Sequence, residues 1–378
     1  MLQRSLLIFL LIFLLPGHAE ALETAAQQVI IKDLSTDTVL FEKNADEQMP
    51  TSSMSKVMTM YAVFEALDNG RLSLEDTLPV SERAWRKGGS KMFVEVGKRV
   101  AVEDLIRGVI VQSGNDATIV LAEGLAGSEE AFAERLTRTA GRLGMDNSNF
   151  TNASGWPDPD HYSTARDLAT LAEALITEFP QYYHYYSEKE FVFNDIRQFN
   201  RNPLVQRGVA DGMKTGHTEA AGYGLIASAE RDGRRIVMVL NGLNSARQRA
   251  VESERLLNWA FRAFETYELF AAGETVYEAG VWLGENDTVP LELERDIRLT
   301  LNRAVRDDLE AMVKLEEPVD SPVEAGQQVG TLVLDADGMD TREYPLVAAT
   351  GVARLGSFAR LQAAARYLVF GADASGGK

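Results

Sequence analysis

Apolar residues recur at two different spacings along the 378-residue chain, and the spacing divides the chain into regions. Up to about residue 265, stretches with the period of a helix alternate with short stretches that have the period of a strand. Beyond Gly273 the stretches have strand period, with turn residues between them, until a helical pattern returns near the C-terminus. The pattern therefore predicts a mixed α/β domain, a small all-β domain and a helical tail.

The mixed α/β region is expected to form a sheet. The last helix of the region packs on one face of this sheet, and a mainly helical lobe is inserted into the domain. The predicted strands are 28–32, 38–41, 211–215, 224–229 and 234–240. The predicted helices begin at Ser53, at Val102, at about Ala117, after Ser128, after Thr164 and at Ser245. Hydroxyl residues at several of these starts are the expected helix caps. We expect the α/β domain to span residues 22–265 and the β-rich domain to span 266–350.

The two ends of the chain carry patterns of their own. Residues 1–21 combine one arginine, an apolar run and an Ala-Glu-Ala end, which is typical of a secretory signal peptide. Residues 351–378 contain a basic amphipathic stretch, predicted to be helical from Val352 to Phe370, with Phe358 and Leu361 on its apolar side. Such a helix suits the membrane interface, and docking on the β domain is the alternative. Charges interrupt it, so it is not expected to cross a bilayer.

Composition narrows the classes of function. The chain has no cysteine, so an exported form must be stable without disulfides, and zinc sites built on cysteine are excluded. The formal net charge of −18 argues against a nucleic-acid partner. No metal and no other cofactor is expected.

The first candidate for chemistry is Ser53-Met54-Ser55-Lys56, at the start of a predicted buried helix. Ser53 and Lys56 are three residues apart, which places both side chains on one face of the first turn. The positive end of the helix dipole favours an ionised Ser53 and disfavours a protonated Lys56. A neutral lysine can take the serine proton, which would make a nucleophile without histidine. Taken alone, the pattern is more typical of an ordinary helix cap.

Two further motifs follow in the order that this chemistry requires. Ser113-Gly114-Asn115 lies between two predicted helices, where a turn can present Ser113 and Asn115 to a cleft. Lys214-Thr215-Gly216 ends a predicted strand, where a glycine lets a substrate backbone approach closely. The order S-x-x-K, S-x-N, K-T-G is the motif set of penicillin-binding proteins and class A β-lactamases, whose middle motif is S-D-N rather than S-G-N.

The chain resembles the low-molecular-mass penicillin-binding proteins of the D-alanyl-D-alanine carboxypeptidase family. Segments 41–46, 211–218 and 221–223 also resemble the family pattern, and the similarity covers nearly the whole mature chain. The resemblance implies a serine β-lactamase-like α/β domain and a serine D-Ala-D-Ala carboxypeptidase acting on peptidoglycan pentapeptide stems. It implies β-lactam antibiotics as covalent inhibitors. With the two chain ends, it also implies a periplasmic protein attached peripherally to the inner membrane by its tail.

The resemblance assigns expected roles to the motif residues. Ser53 would attack the carbonyl between two D-alanines and form an acyl-enzyme. Lys56 would be the base, and Lys214 is the candidate ammonium that keeps it neutral. Ser113 would pass the proton to the departing D-alanine nitrogen, and Asn115 would hold the acyl part of the substrate by its amide.

The remaining expected roles concern substrate binding. The backbone N–H groups of Ser53 and His217 would form the oxyanion hole. Thr215, together with Arg201, would recognise the terminal carboxylate of the substrate, although the spacing from Arg201 to Lys214 is slightly short for the family. Gly216 would leave room for the substrate backbone.

Three alternative functions stay open from the sequence. A β-lactamase would share the acylation, but class A enzymes use a loop glutamate for deacylation, and no glutamate occurs from Met145 to Ala172. A D,D-endopeptidase would share the motifs, although the β domain and the tail favour a carboxypeptidase. A non-catalytic cell-wall scaffold would be expected to lack at least one of the motif residues.

The histidines offer no clear catalytic triad. His161, in the loop 147–163, is expected to order that loop rather than act directly. His184 lies among tyrosines and is expected to be structural, and His217 is expected to shape the pocket.

Overall fold

The computed structural model describes residues 22–336 and 339–362. The predicted signal peptide and residues 363–378 of the predicted tail lie outside the described residues. Within these limits, none of the helices is long and apolar enough to cross a membrane.

The α/β domain contains nine strands and eight α-helices among the described residues. Its strands are β1 (Gln28–Asp33), β2 (Thr38–Lys43), β3 (Thr77–Pro79), β4 (Arg99–Ala101), β5 (Glu190–Phe193), β6 (Ile196–Phe199), β7 (Gly212–Thr218), β8 (Gly222–Arg231) and β9 (Arg234–Leu243). Its helices are α1 (Lys56–Asp68), α2 (Glu82–Arg86), α3 (Val102–Ile110), α4 (Asn115–Ala126), α5 (Glu129–Arg142), α6 (Ala165–Glu178), α7 (Pro203–Arg207) and α8 (Ala246–Ala263). Two 3₁₀ segments, Ser52–Ser55 and Pro180–Ser187, precede α1 and follow α6.

A five-stranded antiparallel sheet, in the order β2-β1-β9-β8-β7, separates two apolar cores. Successive residues of a strand point to opposite faces, so one strand supplies both cores. Ile30 and Val237 face the helical lobe, whereas Ile31 and Met238 pack with Leu256 of α8. The predicted arrangement, with the last helix on one face and a helical lobe on the other, is confirmed.

Helix α1 runs through the centre of the lobe, where it contacts α3, α4, α5 and α6. Apolar residues occupy nearly all of its circumference, and a helix of that kind must be buried on every side. The predicted hydroxyl cap of this helix is wrong, because neither Thr51 nor Ser55 accepts a capping hydrogen bond. Their two hydroxyl groups bond to each other instead. Ser128, Thr164 and Ser245 do cap α5, α6 and α8 as predicted.

The C-terminal domain is built from strands. They are β10 (Phe264–Phe270), β11 (Thr275–Trp282), β12 (Thr288–Glu292), β13 (Ile297–Asn302), β14 (Glu310–Leu315), β15 (Val319–Asp320), β16 (Gln328–Asp335) and β17 (Arg342–Ala348). Six of them form one sheet in the order β14-β16-β17-β12-β11-β15, and β10 pairs with β13. This confirms the predicted small all-β domain.

Polar contacts at the β1–β2 turn join the two domains. Asp33 is fully buried and accepts hydrogen bonds from Arg234 Nε at 3.0 Å and from Thr300 Oγ1 at 3.1 Å. Arg342 donates to the backbone oxygen of Thr36 at 3.1 Å. Two strands of the β domain therefore rest on one turn of the α/β domain.

The tail begins differently from its sequence-based prediction. A helix was expected from Val352, but Val352 pairs with Val323 and Arg354 pairs with Gly284, so the chain here extends along the β domain. The physical reason is that the Val352 side chain is buried in the apolar core of that domain. The helix starts at residue 357.

Candidate active site

The 3₁₀ segment Ser52–Ser55 and the first residue of α1 bring Ser53 and Lys56 together. Lys56 Nζ lies 2.8 Å from Ser53 Oγ and donates to the backbone oxygen of Ser154 at 2.7 Å. Lys56 is fully buried, whereas Ser53 is partly exposed and so open to a substrate. Burial above all, and then the charge of Lys214, hold the pKa of Lys56 well below its usual 10.5. The site therefore contains an amine that can be neutral beside an accessible hydroxyl.

A glycine fixes the loop that supplies the Ser154 carbonyl. Gly155 has a φ of 74°, and a Cβ at this position would lie 1.7 Å from the backbone oxygen of Ser52. The loop can therefore dock on the Ser53 turn only if this residue is glycine. Thr59 of α1 also donates to the backbone oxygen of Ala153 at 2.6 Å. Neither Ser154 nor Gly155 was singled out from the sequence.

The second motif lies in the turn between α3 and α4, as predicted. Ser113 is 3% exposed and has a φ of 66°, in the left-handed region. Asn115 is the first residue of α4, which begins two residues earlier than the predicted Ala117. Its Nδ2 donates to the backbone oxygen of Gly88 at 2.9 Å. An amide nitrogen carries two protons, so the second remains for a substrate.

Asp116 was not predicted, although it organises the loop beside the second motif. Its carboxylate accepts hydrogen bonds from the backbone N–H groups of Met92, Phe93 and Val94 at 2.9, 2.9 and 3.2 Å. It is buried in the first turn of α4, where the helix dipole favours a negative charge. The position directly after Ser-Gly-Asn was the signal available in the sequence. Asp116 thus holds the loop 88–94 in place.

Lys214 lies close to the Ser53–Lys56 pair and is itself buried. Burial, followed by the charges of Arg201 and Arg249, lowers its pKa from 10.5 to about 7. The charge of Lys214 in turn lowers the pKa of Lys56. The predicted proximity of Lys214 and Lys56 is therefore present in the fold.

The third motif lies inside β7 rather than at its end, because the strand continues to Thr218. β7 is one of the two edge strands of the central sheet. A Cβ on Gly216 would lie 2.9 Å from the backbone oxygen of Thr51, so the glycine permits β7 to pack against the Ser53 turn. Thr215 is buried, whereas His217 is exposed and stacks on Tyr223 with 3.9 Å between ring centroids.

Two arginines complete the positive side of the site. Arg201, which was predicted, follows β6 and acts on the pKa of both Lys56 and Lys214. Arg249 of α8 was not predicted, since no motif surrounds it. Its Nη1 donates to the backbone oxygen of Gly216 at 3.3 Å. Its buried Nε has no hydrogen-bond partner among the described residues.

His161 orders its loop, as expected from the sequence. Its Nδ1 accepts a hydrogen bond from the backbone N–H of Thr151 at 3.2 Å, and its Nε2 lies 2.7 Å from Ser55 Oγ. Burial lowers its pKa to about 4, so the ring is neutral at pH 7 and Nε2 donates to Ser55. His184 packs against Tyr185, away from these motifs. Among residues 22–336 and 339–362, no group of three or more candidate side chains could hold a metal ion.

Comparisons with known proteins show the family of this chain. The family model described as D-alanyl-D-alanine carboxypeptidase matches residues 16–244, and the model of the penicillin-binding protein 5 C-terminal domain matches 264–354. The D-alanyl-D-alanine carboxypeptidase DacC of Escherichia coli is 40% identical over 90% of this chain and 88% of its own length.

Solved structures show the same fold. Penicillin-binding protein 5 from Haemophilus influenzae has a TM-score of 0.77 and 36% identity, over 89% of this chain and 100% of that chain. Penicillin-binding protein D2 from Listeria monocytogenes, solved in its ampicillin-bound form, has a TM-score of 0.59 and 30% identity, over 64% of this chain and 99% of that one. The chain therefore belongs to the D-alanyl-D-alanine carboxypeptidase family and is a serine D-Ala-D-Ala carboxypeptidase of the penicillin-binding protein type.

Proposed function

We propose that Ser53 is the nucleophile of this carboxypeptidase and Lys56 its general base. The observation that carries the proposal is the fully buried amine of Lys56, 2.8 Å from Ser53 Oγ. When Lys56 is neutral, its lone pair accepts the Ser53 proton while an N–H still donates to the Ser154 carbonyl. Ser53 then attacks the carbonyl between the two D-alanines of a peptidoglycan stem, and D-alanine leaves.

The other motif residues take roles that fit their positions. Lys214 carries part of a positive charge at neutral pH, since its pKa is about 7, and that charge keeps Lys56 neutral. Ser113 relays the proton to the departing nitrogen, and the free amide proton of Asn115 binds the acyl part. The backbone N–H groups of Ser53 and His217 form the oxyanion hole, where one donor contributes about 3 kcal/mol.

The terminal carboxylate of the substrate binds at the β7 side of the site. Thr215 and Arg201 remain candidates for this contact, and Arg249 joins them because its buried Nε lacks a partner among the described residues. An extended substrate can lie along the edge of β7, which Gly216 allows to pack against the Ser53 turn. Selection for a free carboxylate at this point favours carboxypeptidase over endopeptidase activity.

β-Lactam antibiotics acylate the same serine, in this proposal, because the related protein from Listeria monocytogenes was solved in ampicillin-bound form. The loop 147–163 contains no glutamate to activate water, so the resulting adduct is expected to persist.

The role of Lys56 as general base can be tested by measuring how fast the Lys56→Met enzyme releases D-alanine from a pentapeptide. General-base catalysis contributes about 10²–10⁴-fold, so kcat/KM should fall within that range. Lys314→Met, which removes an exposed lysine of the β domain, is the matched control and should keep full activity. A Lys56→Met enzyme within a few-fold of the parent would refute the role of Lys56.

Residues 357–378 attach the protein to the periplasmic surface of the inner membrane, in a second part of this proposal. Phe358 and Leu361 support it, because they are 76% and 70% exposed rather than docked on the β domain. The informative truncation ends at Gly356, since Val352 and Arg354 are paired with the β domain. The truncated enzyme should leave the membrane fraction and stay active. Unchanged membrane fractionation would rule out the anchor.

A further inference from the structure

Lys87 lies beside the site, directly before the residue that accepts a hydrogen bond from Asn115, and no proposed step uses it. It directly follows α2 and is half-buried. Its Nζ lies 5.0 Å from the ring centroid of Trp156, over the face of the ring. A cation–π contact of this kind holds an amine in one place without neutralising its charge.

The surroundings of Lys87 connect it to the reaction centre. The next residue, Gly88, supplies the backbone oxygen that accepts from Asn115 Nδ2. A Cβ on Gly89 would touch both Asn115 Nδ2 and the Trp156 ring, at 2.7 and 3.2 Å. The charge of Lys87 reaches Lys56, where it contributes to the lowered pKa. Lys87 therefore stands just beyond the residue proposed to hold the acyl part of the substrate.

The charge of Lys87 has no counter-ion in the described part of the chain. This chain has 56 acidic residues against 38 lysines and arginines, so a half-buried lysine without a carboxylate partner is unexpected. Lys214, Arg201 and Arg249 already supply the positive charge that the scissile end requires. A further fixed cation on the acyl side is suited to a second anionic group of the substrate.

We propose that Lys87, held on Trp156, binds a carboxylate carried by the stem peptide on the acyl side of the scissile bond. The inference rests on the proposed function, since it takes the substrate to lie between β7 and Asn115. Two residues of a stem peptide can carry such a carboxylate: the third residue, when it is a diaminopimelate, and the second, when it is a γ-linked glutamate.

Matched substrates test the proposal and separate the two sources. The first pair of pentapeptides differs only at the third residue, diaminopimelate or lysine, and the second pair only at the second residue, glutamate or isoglutamine. For one pair, the parent enzyme should show a kcat/KM about fivefold higher for the peptide with the extra carboxylate. In Lys87→Met that ratio should fall to about one. The pair that responds identifies the carboxylate.

The ratio isolates recognition, because any effect of Lys87 on the pKa of Lys56 acts on both peptides of a pair. Lys98→Met removes the same charge from an exposed position and should preserve the ratio. Ratios near one in the parent, or ratios unchanged in Lys87→Met, would overturn the proposal. Failure of the proposed function is distinguishable, because the Ser53→Ala and Lys56→Met enzymes would then hydrolyse these peptides as the parent does.

Discussion

The two domains differ in what they bury. The α/β domain buries ionisable groups at its active site, among them Lys56, Asp116, His161 and Lys214. The described part of the β domain buries only apolar side chains and two hydroxyl residues, Thr300 and Ser321. Burial of a charge is costly unless partners or a pKa shift compensate for it. The domain that carries this cost is the one that performs the chemistry.

The comparison extends to backbone strain. Among the positive φ angles of the α/β domain, four occur at residues that build the site: Ser52, Phe93, Ser113 and Gly155. In the β domain, glycines such as Gly326 adopt the same conformation in open turns, where a Cβ would have no neighbour within 4 Å. The same local geometry therefore serves ordinary turns in both domains and a packed active site in the α/β domain alone.

A matched pair of glycine substitutions should give the largest effect on stability. Gly155→Ala would place a methyl group into the backbone of Ser52 at a left-handed φ, so it should lower the free energy of unfolding by about 3–5 kcal/mol. Gly326→Ala carries only the penalty of an alanine at a left-handed φ, so it should lower the free energy of unfolding by about 1 kcal/mol. Urea unfolding monitored by intrinsic fluorescence measures both. If the two variants lost the same free energy of unfolding, the contact with Ser52 would not constrain the loop at Gly155.

A matched pair of lysine substitutions should show the free-energy cost of burying Lys214, because this cost makes the stability of the protein depend on pH. The pKa of Lys214 is lowered from 10.5 to about 7, so the unfolded chain binds more protons than the folded one between these values. The stability of the parent should therefore rise with pH in this window. Lys214→Met removes this contribution, and its stability relative to the parent should fall by up to about 1.4 kcal/mol per pH unit between about pH 7.5 and 9.5.

The control for this prediction lies in the β domain. Lys314 is exposed and pairs with Glu343, so Lys314→Met should show no such slope relative to the parent. A difference between Lys214→Met and the parent that is flat across the same pH range would show that Lys214 titrates normally. It would then be a fully charged neighbour of Lys56 at neutral pH.

Much of this fold could be predicted because the relevant signals are local. The helices capped by Ser128, Thr164 and Ser245 follow from a hydroxyl residue before a periodic apolar stretch, and the structure has all three caps. The hairpin at Asp232-Gly233 follows from its turn chemistry, since both residues have positive φ. The three motifs are short local signals too, and they identified Ser53, Lys56, Ser113, Asn115 and Lys214 as candidate site residues.

The unpredicted elements depend on distant contacts or on weaker signals. The β5–β6 hairpin turns at Asn194 and Asp195, both at positive φ, and is fixed on the lobe where Gln198 donates to the backbone oxygen of Met92. β10 follows α8 without a break, and β17 contains Pro345, so neither has a clear strand pattern.

The unpredicted site residues have a similar explanation. Asp116 acts through backbone groups more than twenty residues away, and Arg249 reaches Gly216 across 33 residues of sequence. The cap predicted for α1 failed because Ser55 is engaged by His161 and Thr51. In each case a contact with a residue distant in sequence determines the role of the side chain.

The most direct test of the central claim is time-resolved mass spectrometry of the protein without residues 1–21, mixed with a labelled penicillin. The account predicts one adduct per chain, located on Ser53, that persists and is absent in Ser53→Ala. Rapid loss of the adduct would instead indicate a β-lactamase. An adduct on another residue, or none in the correctly folded protein, would contradict the assignment of Ser53 as the nucleophile.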